Sequence, residues 1–107
     1  MFVNCPPCQL QIEELKKVYE KFDEKIILIS ISILGAGDSN KDLKNFKESY
    51  KAKWLFAIDT YDEDATIKYN VLSVPKIFII NKKGDIEYTH TGLTKNNILI
   101  EEINKIL

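Results

Sequence analysis

The sequence contains no arginine, and all 15 of its basic residues are lysines. The planar guanidinium group, which reads guanine edges and clamps phosphates through paired hydrogen bonds, is therefore missing. The 16 acidic residues nearly balance the lysines and leave a formal charge of -1, so the chain has no basic field that would attract a polyanion. We expect no nucleic-acid partner.

Long apolar runs are also missing. The longest, residues 26–36, is interrupted by two serines and is much shorter than the roughly 20 residues that a membrane-spanning helix needs. The four residues before Cys5 cannot hold a signal peptide. As written, the chain is expected to be cytoplasmic and to have no membrane segment. An extracytoplasmic location stays open if a signal or an anchor lies upstream.

Metal-ligating side chains are scarce. Cys5, Cys8 and His90 are the only cysteine and histidine residues, so the chain cannot supply the four ligands of a structural zinc site alone. The acidic stretch 59–64 lacks the twelve-residue calcium-loop pattern and is read as a solvated loop. The isolated Gly-Ala-Gly at 35–37 lacks the further glycine of a phosphate cradle. We expect no metal and no bound cofactor.

The pattern of apolar residues predicts one α/β domain over residues 1–107. Spacings of three and four residues indicate a helix over 6–22. The β-branched run 26–33 indicates a strand that is covered on both faces, as in a parallel sheet. Ser39 and Asp42 form the capping box of a second predicted helix.

The second half of the sequence predicts a hairpin and a final helix. A short strand at 54–58 and a brief helix at 65–69 come first. The hairpin has strands at 76–80 and 85–91, joined by a turn at 81–84. Thr94 is predicted to cap the last helix. The residues expected to dock this helix are Ile98, Leu99, Ile103 and Leu107, and the aromatic residues expected in the core are Trp54, Phe56 and Phe78.

The two cysteines form one Cys5-Pro6-Pro7-Cys8 motif at the start of the first predicted helix. The free amides and partial positive charge of a helix N-terminus favour a thiolate at Cys5, which is the species that attacks a disulfide. Cys8 is placed to resolve the resulting mixed disulfide. The prolines stiffen the turn but remove two amide donors. From these residues alone, an inert pair without turnover is the alternative.

Two distant stretches, NCPPC and VLSVPKIFIINKKGDI, are followed by Gly92 and an amphipathic helix, and together they resemble the thioredoxin-like superfamily. The order IILISISI, LKNFKESY, KWLFAID and NVLSVP is most similar to thiol-disulfide oxidoreductases of the TlpA, ResA and tryparedoxin type. The resemblance covers essentially the whole chain. It implies a thioredoxin-like fold with a central mixed β-sheet flanked by helices and a truncated N-terminal strand.

The resemblance also implies roles for individual residues. Cys5 would be the exposed attacking thiol and Cys8 the buried resolving thiol. Pro75 would be a cis-proline beside them, with the backbone of Val74 pairing with an extended substrate. Pro6, Pro7, Val74 and Pro75 would form the substrate-binding surface. The implied partners are protein or small-molecule disulfides or dithiols and a redox partner, within cell redox homeostasis.

The sequence departs from this family at its start. Asn4 replaces the usual tryptophan, which is expected to expose the disulfide to water. Only residues 1–4 remain of the central strand, which is expected to leave strands 26–33 and 76–80 partly unpaired. We expect that the native protein starts upstream of Met1. If Met1 is the native start, we expect a monomer, or a dimer that pairs through the exposed sheet edge.

Two further functions compete with thiol-disulfide exchange. A thioredoxin-like domain can be a redox-inactive, partner-binding module, because fold does not guarantee function. A peroxidase that uses Cys5 is less favoured, because no arginine is present to help polarise the peroxide.

Overall fold

The helices and strands follow one another along the chain in the order that the sequence predicts. The computed structural model describes all 107 residues. The elements are α1 (Pro6–Phe22) with a 3₁₀ turn after it (Asp23–Lys25), β1 (Ile29–Ser32), α2 (Asn40–Tyr50), β2 (Leu55–Ile58), α3 (Ala65–Lys68), β3 (Lys76–Ile80), β4 (Ile86–Thr91) and α4 (Asn96–Asn104). Strand β1 is shorter than the apolar run that predicts it.

The strands form two separate pairs. Strands β1 and β2 are parallel, with Ile29 opposite Leu55, as the apolar run predicts. Strands β3 and β4 are antiparallel, with Ile77 opposite His90, and the ladder shifts register between Ile79 and Ile80. The expected mixed sheet is thus divided between β1 and β3, because the first residues of the chain form turns instead of a strand.

The burial of β1 differs from the prediction. Ser30 and Ser32 are 7% and 1% exposed, whereas Ile29 is 47% exposed. The serine hydroxyls are satisfied inside the protein: Trp54 Nε1 donates to Ser30 Oγ at 2.9 Å, and Ser32 Oγ donates to Asp38 Oδ2 at 2.8 Å. Because side chains alternate along a strand, the isoleucines face the opposite side, where the strand is poorly covered.

Two apolar clusters form the core, and α1 contributes to both. One contains Ile12, Phe46, Ala52 and Trp54. The other contains Val18, Phe22, Leu99 and Ile103. Leu15 packs against both clusters. Each fully buried aliphatic or aromatic side chain of this kind contributes about 1.5–3 kcal/mol.

Several of the predicted core residues are less buried than expected. Phe56 and Phe78 are only partly buried. Ile98 on α4 is exposed because the helix turns only one narrow face towards α1, and Leu107, which lies beyond the end of α4, is also exposed. Leu99 and Ile103 occupy that face and are buried as predicted.

The capping box of α2 is confirmed. Ser39 Oγ accepts a hydrogen bond from the Asp42 amide at 3.0 Å, and Asp42 Oδ2 accepts one from the Ser39 amide at 2.9 Å. The bonds from Ser39 to the Asp42 carboxylate lower the pKa of Asp42. Two otherwise free amides at the helix start are thereby satisfied.

The predicted cap of α4 is wrong. The N-cap residue is Lys95, and its side chain makes no capping bond. Thr94 is buried, and Gln11 binds both its backbone amide and its backbone carbonyl, at 2.8 and 2.9 Å. Glu14 Oε1 instead accepts from the Asn96 amide at 2.8 Å. The start of α4 is therefore held by side chains of α1, which local sequence could not indicate.

Candidate active site at the start of α1

Cys5 and Cys8 form a disulfide across the first turn of α1, with their Cα atoms 5.1 Å apart. Cys5 is the N-cap residue, and its Sγ accepts a hydrogen bond from the Cys8 amide at 3.2 Å. Pro6 and Pro7 fill the first two helical positions and have no amide hydrogen. The Cys8 amide is thus the first-turn donor that reaches the Cys5 sulfur.

Both cysteines are buried. Cys5 is 3% exposed and Cys8 is 1% exposed, so the expectation of an exposed Cys5 is wrong. The expectation that Asn4 leaves the disulfide open to water is also wrong, although Asn4 itself is exposed. The Cys5 sulfur turns inward towards the helix amide and Cys8, while Pro6 and Pro7 lie at the surface.

The residues just before Cys5 are held by polar contacts that the sequence did not reveal. Asp38 Oδ2 accepts from the Val3 amide at 3.0 Å. Gln9 Nε2 donates to the Val3 carbonyl at 2.9 Å. Both backbone groups of Val3 are therefore fixed, and with them the direction from which the chain enters the cysteine turn. An aspartate just after a glycine-containing loop was the only available signal.

Val74 and Pro75 lie with Cys8 in the lining of one cleft of about 350 Å³. The peptide bond between Val74 and Pro75 is cis, as the resemblance implies. Pro75 is buried, and its carbonyl accepts from the Gly92 amide at 2.8 Å, at the base of the β3–β4 hairpin. Pro6 and Pro7 do not line this cleft.

Asp59 organises another wall of the cleft and is not part of a solvated loop, which corrects the prediction for this residue. It is buried at the end of β2. Its Oδ1 accepts from the amides of Thr60 and Ala65, at 2.9 and 3.0 Å. Its Oδ2 accepts from the amide and hydroxyl of Thr66, at 2.7 and 2.6 Å. Burial would raise the pKa of Asp59, but these hydrogen bonds outweigh it and lower the pKa below its usual value.

The amino group of Met1 is buried at the same cleft. It donates to the Ile31 carbonyl at 2.9 Å. Burial lowers its pKa from 8.0 to about 6, and the nearby Asp38 carboxylate partly opposes this shift. A charged group is disfavoured here because its water shell is lost.

His90 lies exposed on β4, and no three histidine, cysteine or acidic side chains are grouped so that they could hold a metal ion. None of the helices combines the length and the apolar character needed to cross a membrane.

Curated relatives of this chain are named thiol-disulfide oxidoreductases or thioredoxin-like proteins. The chain is 32% identical over 103 residues to the thiol-disulfide oxidoreductase ResA of Bacillus thuringiensis, covering 95% of this chain and 57% of the relative. It is 27% identical over 95 residues to the thioredoxin-like protein YneN of Bacillus subtilis, covering 88% and 55%. The chain thus spans little more than half the length of these relatives.

Solved structures confirm the thioredoxin-like fold. StoA of Bacillus subtilis superposes with a TM-score of 0.82 at 21% identity, covering 96% of this chain and 77% of that one. A thiol-disulfide isomerase of Corynebacterium glutamicum superposes with a TM-score of 0.87 at 21% identity, covering 100% and 76%. The AhpC/TSA family matches residues 2–89. Thus the chain belongs to the AhpC/TSA family, with a thioredoxin-like fold and relatives that are named thiol-disulfide oxidoreductases.

Proposed function

We propose that the protein is a thiol-disulfide oxidoreductase that exchanges electrons with protein or small-molecule disulfides through Cys5 and Cys8. The observation that carries this proposal is the position of the pair. Both sulfurs lie at disulfide distance at the N-terminus of a 17-residue helix, and a helix amide points at Cys5 Sγ. The amide and the helix dipole stabilise a negative charge on that sulfur.

The exchange needs no bound cofactor. In the reducing direction, the Cys5 thiolate attacks one sulfur of a substrate disulfide, and the other substrate sulfur leaves as a thiolate and takes up a proton. Cys8 then loses its proton and attacks Cys5 Sγ, which releases the second substrate thiol. The substrate gains two electrons and two protons, and Cys5 and Cys8 end as the disulfide. A dithiol redox partner restores the reduced pair by the reverse steps.

The surroundings of the pair support the separate roles. Cys8 is buried, which suits a resolving thiol that meets only Cys5. Val74 and Pro75 line the same cleft as Cys8, and an extended substrate segment would pair with the Val74 backbone like an added strand. The exposed rings of Pro6 and Pro7 provide an apolar surface on which the substrate rests.

A trapping experiment tests these roles. A peptide disulfide is incubated with the reduced Cys8→Ser chain and, as the matched control, with the reduced Cys5→Ser chain. We expect a stable mixed disulfide with Cys8→Ser, because the attacking thiol is present and the resolving thiol is absent. We expect little or none with Cys5→Ser. Equal trapping by both variants, or by neither, contradicts the proposal.

The prolines offer a finer test. Capping side chains accept from the second or third amide of a helix, so Pro7→Ala adds a donor for Cys5 Sγ, whereas Pro6→Ala adds an amide at a position that does not reach the cap. The extra donor stabilises the reduced thiolate. We expect a higher reduction potential for Pro7→Ala and little change for Pro6→Ala. Each chain is equilibrated in buffers of graded redox potential, its free thiols are alkylated, and the alkyl groups added are counted by mass.

The burial of both sulfurs favours one alternative, a redox-inactive module that binds a partner through the same surface. The same redox titration, carried out on the unmodified chain, distinguishes the oxidoreductase from the binding module. A reversible two-electron transition within the span of cellular dithiols supports the oxidoreductase. A disulfide that never opens supports the binding module. Peroxide consumption that depends on Cys5, with no trapping of the peptide, would assign peroxidase chemistry instead.

A further inference from the structure

The three residues before Pro75, Leu72–Val74, have a free backbone. None of their amides or carbonyls is bonded to another backbone group of the protein, and Leu72 is 85% exposed. We call these residues the recognition segment, because the proposed substrate pairs with the backbone of Val74. The position of this segment relative to Cys5 decides whether a paired peptide brings its disulfide to the attacking sulfur.

The recognition segment is anchored at its two ends. After it, the Pro75 carbonyl accepts from the Gly92 amide at 2.8 Å, which ties the segment to the β3–β4 hairpin. Before it, the Val71 amide donates to the Thr66 carbonyl, also at 2.8 Å. Thr66 belongs to α3, so the position of α3 controls one end of the segment.

Helix α3 is too short to hold its position alone. It has four residues, Ala65–Lys68, and isolated helices of about one turn are not stable in water. Hydrogen bonds to other elements therefore fix its place. At the end of β2, the Asp59 carboxylate accepts from the amides of Ala65 and Thr66 and from the Thr66 hydroxyl. These bonds attach α3 to the protein at one point.

The Thr66 hydroxyl supplies a second point of attachment. While it donates to Asp59, its oxygen accepts from the Leu34 amide at 3.0 Å. A hydroxyl can do both at once. No other hydrogen bond joins α3 to the segment that follows β1. The bond to Leu34 therefore stops α3 from turning about its attachment to Asp59.

The same segment after β1 holds the chain that leads into the cysteine turn. The amide of Ile33, the neighbour of Leu34, donates to the Met1 carbonyl at 3.0 Å. Thr66 is thus bonded on one side to the backbone that supports the approach to Cys5. On the other side it is bonded, through Val71, to the recognition segment.

We propose that Thr66 is a positioning residue for disulfide exchange with peptides, and that its hydroxyl fixes the recognition segment relative to Cys5. This inference rests on the proposed function. Thr66 needs no contact with the reacting sulfurs. Without its hydroxyl, α3 and the recognition segment are free to shift, and a paired peptide presents its disulfide out of line with the Cys5 sulfur. A displacement of about 1 Å can slow a reaction by as much as about 100-fold.

Two disulfides separate positioning from chemistry. One is a peptide disulfide with an extended segment on each side of its cystine, and the other is bis(2-hydroxyethyl) disulfide, which has no backbone to pair. In a single turnover, either substrate is reduced to two thiols while Cys5 and Cys8 are oxidised to their disulfide. Alkylation of the remaining thiols and mass analysis at successive times give the rate constant.

Thr66→Val removes the hydroxyl and keeps the shape of the side chain. We expect its rate constant with the peptide to fall about tenfold, and its rate constant with bis(2-hydroxyethyl) disulfide to stay within about twofold of the parent value. The reduction potential of the cysteine pair should not change. Circular dichroism verifies that the variant is folded. If it is not, Thr66→Ala takes its place, because the smaller side chain leaves room for water to reach the Leu34 amide.

Two control variants accompany Thr66→Val. Thr66→Ser retains the hydroxyl and should react with the peptide at close to the parent rate. Ile103→Val shortens a buried side chain of α4 and lowers stability without touching α3. It should leave the rate constants with both disulfides unchanged.

Four results would overturn the inference while the proposed function stands. They are an unchanged peptide rate in Thr66→Val, an equal loss with both disulfides, an equal loss in Thr66→Ser, and a loss of the peptide rate in Ile103→Val. The second of these assigns the hydroxyl to the cysteines themselves, and the last assigns the effect to general stability. An unmodified chain that reacts with neither disulfide overturns the proposed function, and the inference with it.

Discussion

The two strand pairs on either side of the cleft are held together by different means. The β1–β2 pair joins segments that are far apart in sequence, and polar side chains close it: Trp54 to Ser30, Ser32 to Asp38, and Asp59 to the start of α3. The β3–β4 pair is a hairpin of neighbouring segments that packs on α1 and α4 through apolar side chains. The parallel pair therefore depends on specific polar partners, whereas the hairpin depends on local turn geometry and apolar area.

Helix α1 connects these two halves and carries the cysteines at its start. Ile12 packs into the cluster of the parallel half, and Val18 and Phe22 pack into that of the other half. Gln11 also binds Thr94 in the loop before α4, and Glu14 binds Asn96, the first residue of α4. We therefore expect substitutions in either half to affect the helix that positions Cys5 and Cys8, and they provide a way to separate the two kinds of support.

The largest effect is expected for Trp54→Ala. This residue fills the cluster of the parallel half, stacks on Phe56 with ring centroids 5.8 Å apart, and donates to Ser30. Its removal should lower the free energy of unfolding by about 3–5 kcal/mol, measured by denaturant titration. Hydrogen exchange should quicken in β1 and β2 more than in β3 and β4. Leu99→Ala is the matched control in the other half, and a uniform response to both changes would contradict separate support.

Asp59→Asn should have the next largest effect. The neutral amide keeps the size of the side chain but cannot accept all four hydrogen bonds, so we expect a loss of about 1–3 kcal/mol. The pKa of Asp59 is lower in the folded state, so its contribution is complete above the usual carboxyl pKa of about 4 and disappears as the pH falls through the folded value. Unfolding measured from about pH 7 to about pH 2 should show a smaller acid-dependent loss in Asp59→Asn than in the parent. Equal acid profiles would contradict this role.

Ser39→Ala tests the local support of α2 in the parallel half. The change removes the acceptor for the Asp42 amide, and it should cost about 1 kcal/mol. Thermal unfolding provides the measurement. Ser39→Asn, which preserves a capping oxygen, should retain most of the stability. If both variants were equally destabilised, the capping bond would not be the cause.

The smallest effect is expected for Thr94→Val, at the corresponding place before α4. Thr94 Oγ1 is buried and has no hydrogen-bond partner, while the backbone of the residue binds Gln11. An apolar group of the same shape should change the free energy of unfolding by less than about 0.5 kcal/mol or stabilise the fold slightly. Gln11→Ala, which removes both hydrogen bonds to the Thr94 backbone, should lower the free energy of unfolding more than Thr94→Val does. A large loss in Thr94→Val would show that the hydroxyl is needed.

The sequence by itself determined the features that depend on near neighbours. The helix from Pro6 to Phe22 follows from apolar spacing, the capping box at Ser39 from two residues three apart, and the hairpin after Pro75 from a turn between two β-branched runs. The disulfide across Cys5 and Cys8 is equally local, because their separation places the sulfurs on one helical turn. In each case the interacting groups are close in the chain.

Only the tertiary structure decided which polar groups are buried and which groups satisfy them. It buried Ser30 and Ser32 instead of their isoleucine neighbours, because Trp54 and Asp38 supply partners. It made Asp59 a buried cap, because α3 brings its amides to the end of β2. It also left the cleft between β1 and β3 open. The spacing of residues in the sequence indicates which groups can meet along one helix or strand. Which side chains are buried, and which buried polar groups find hydrogen-bond partners, depends on how the elements pack together.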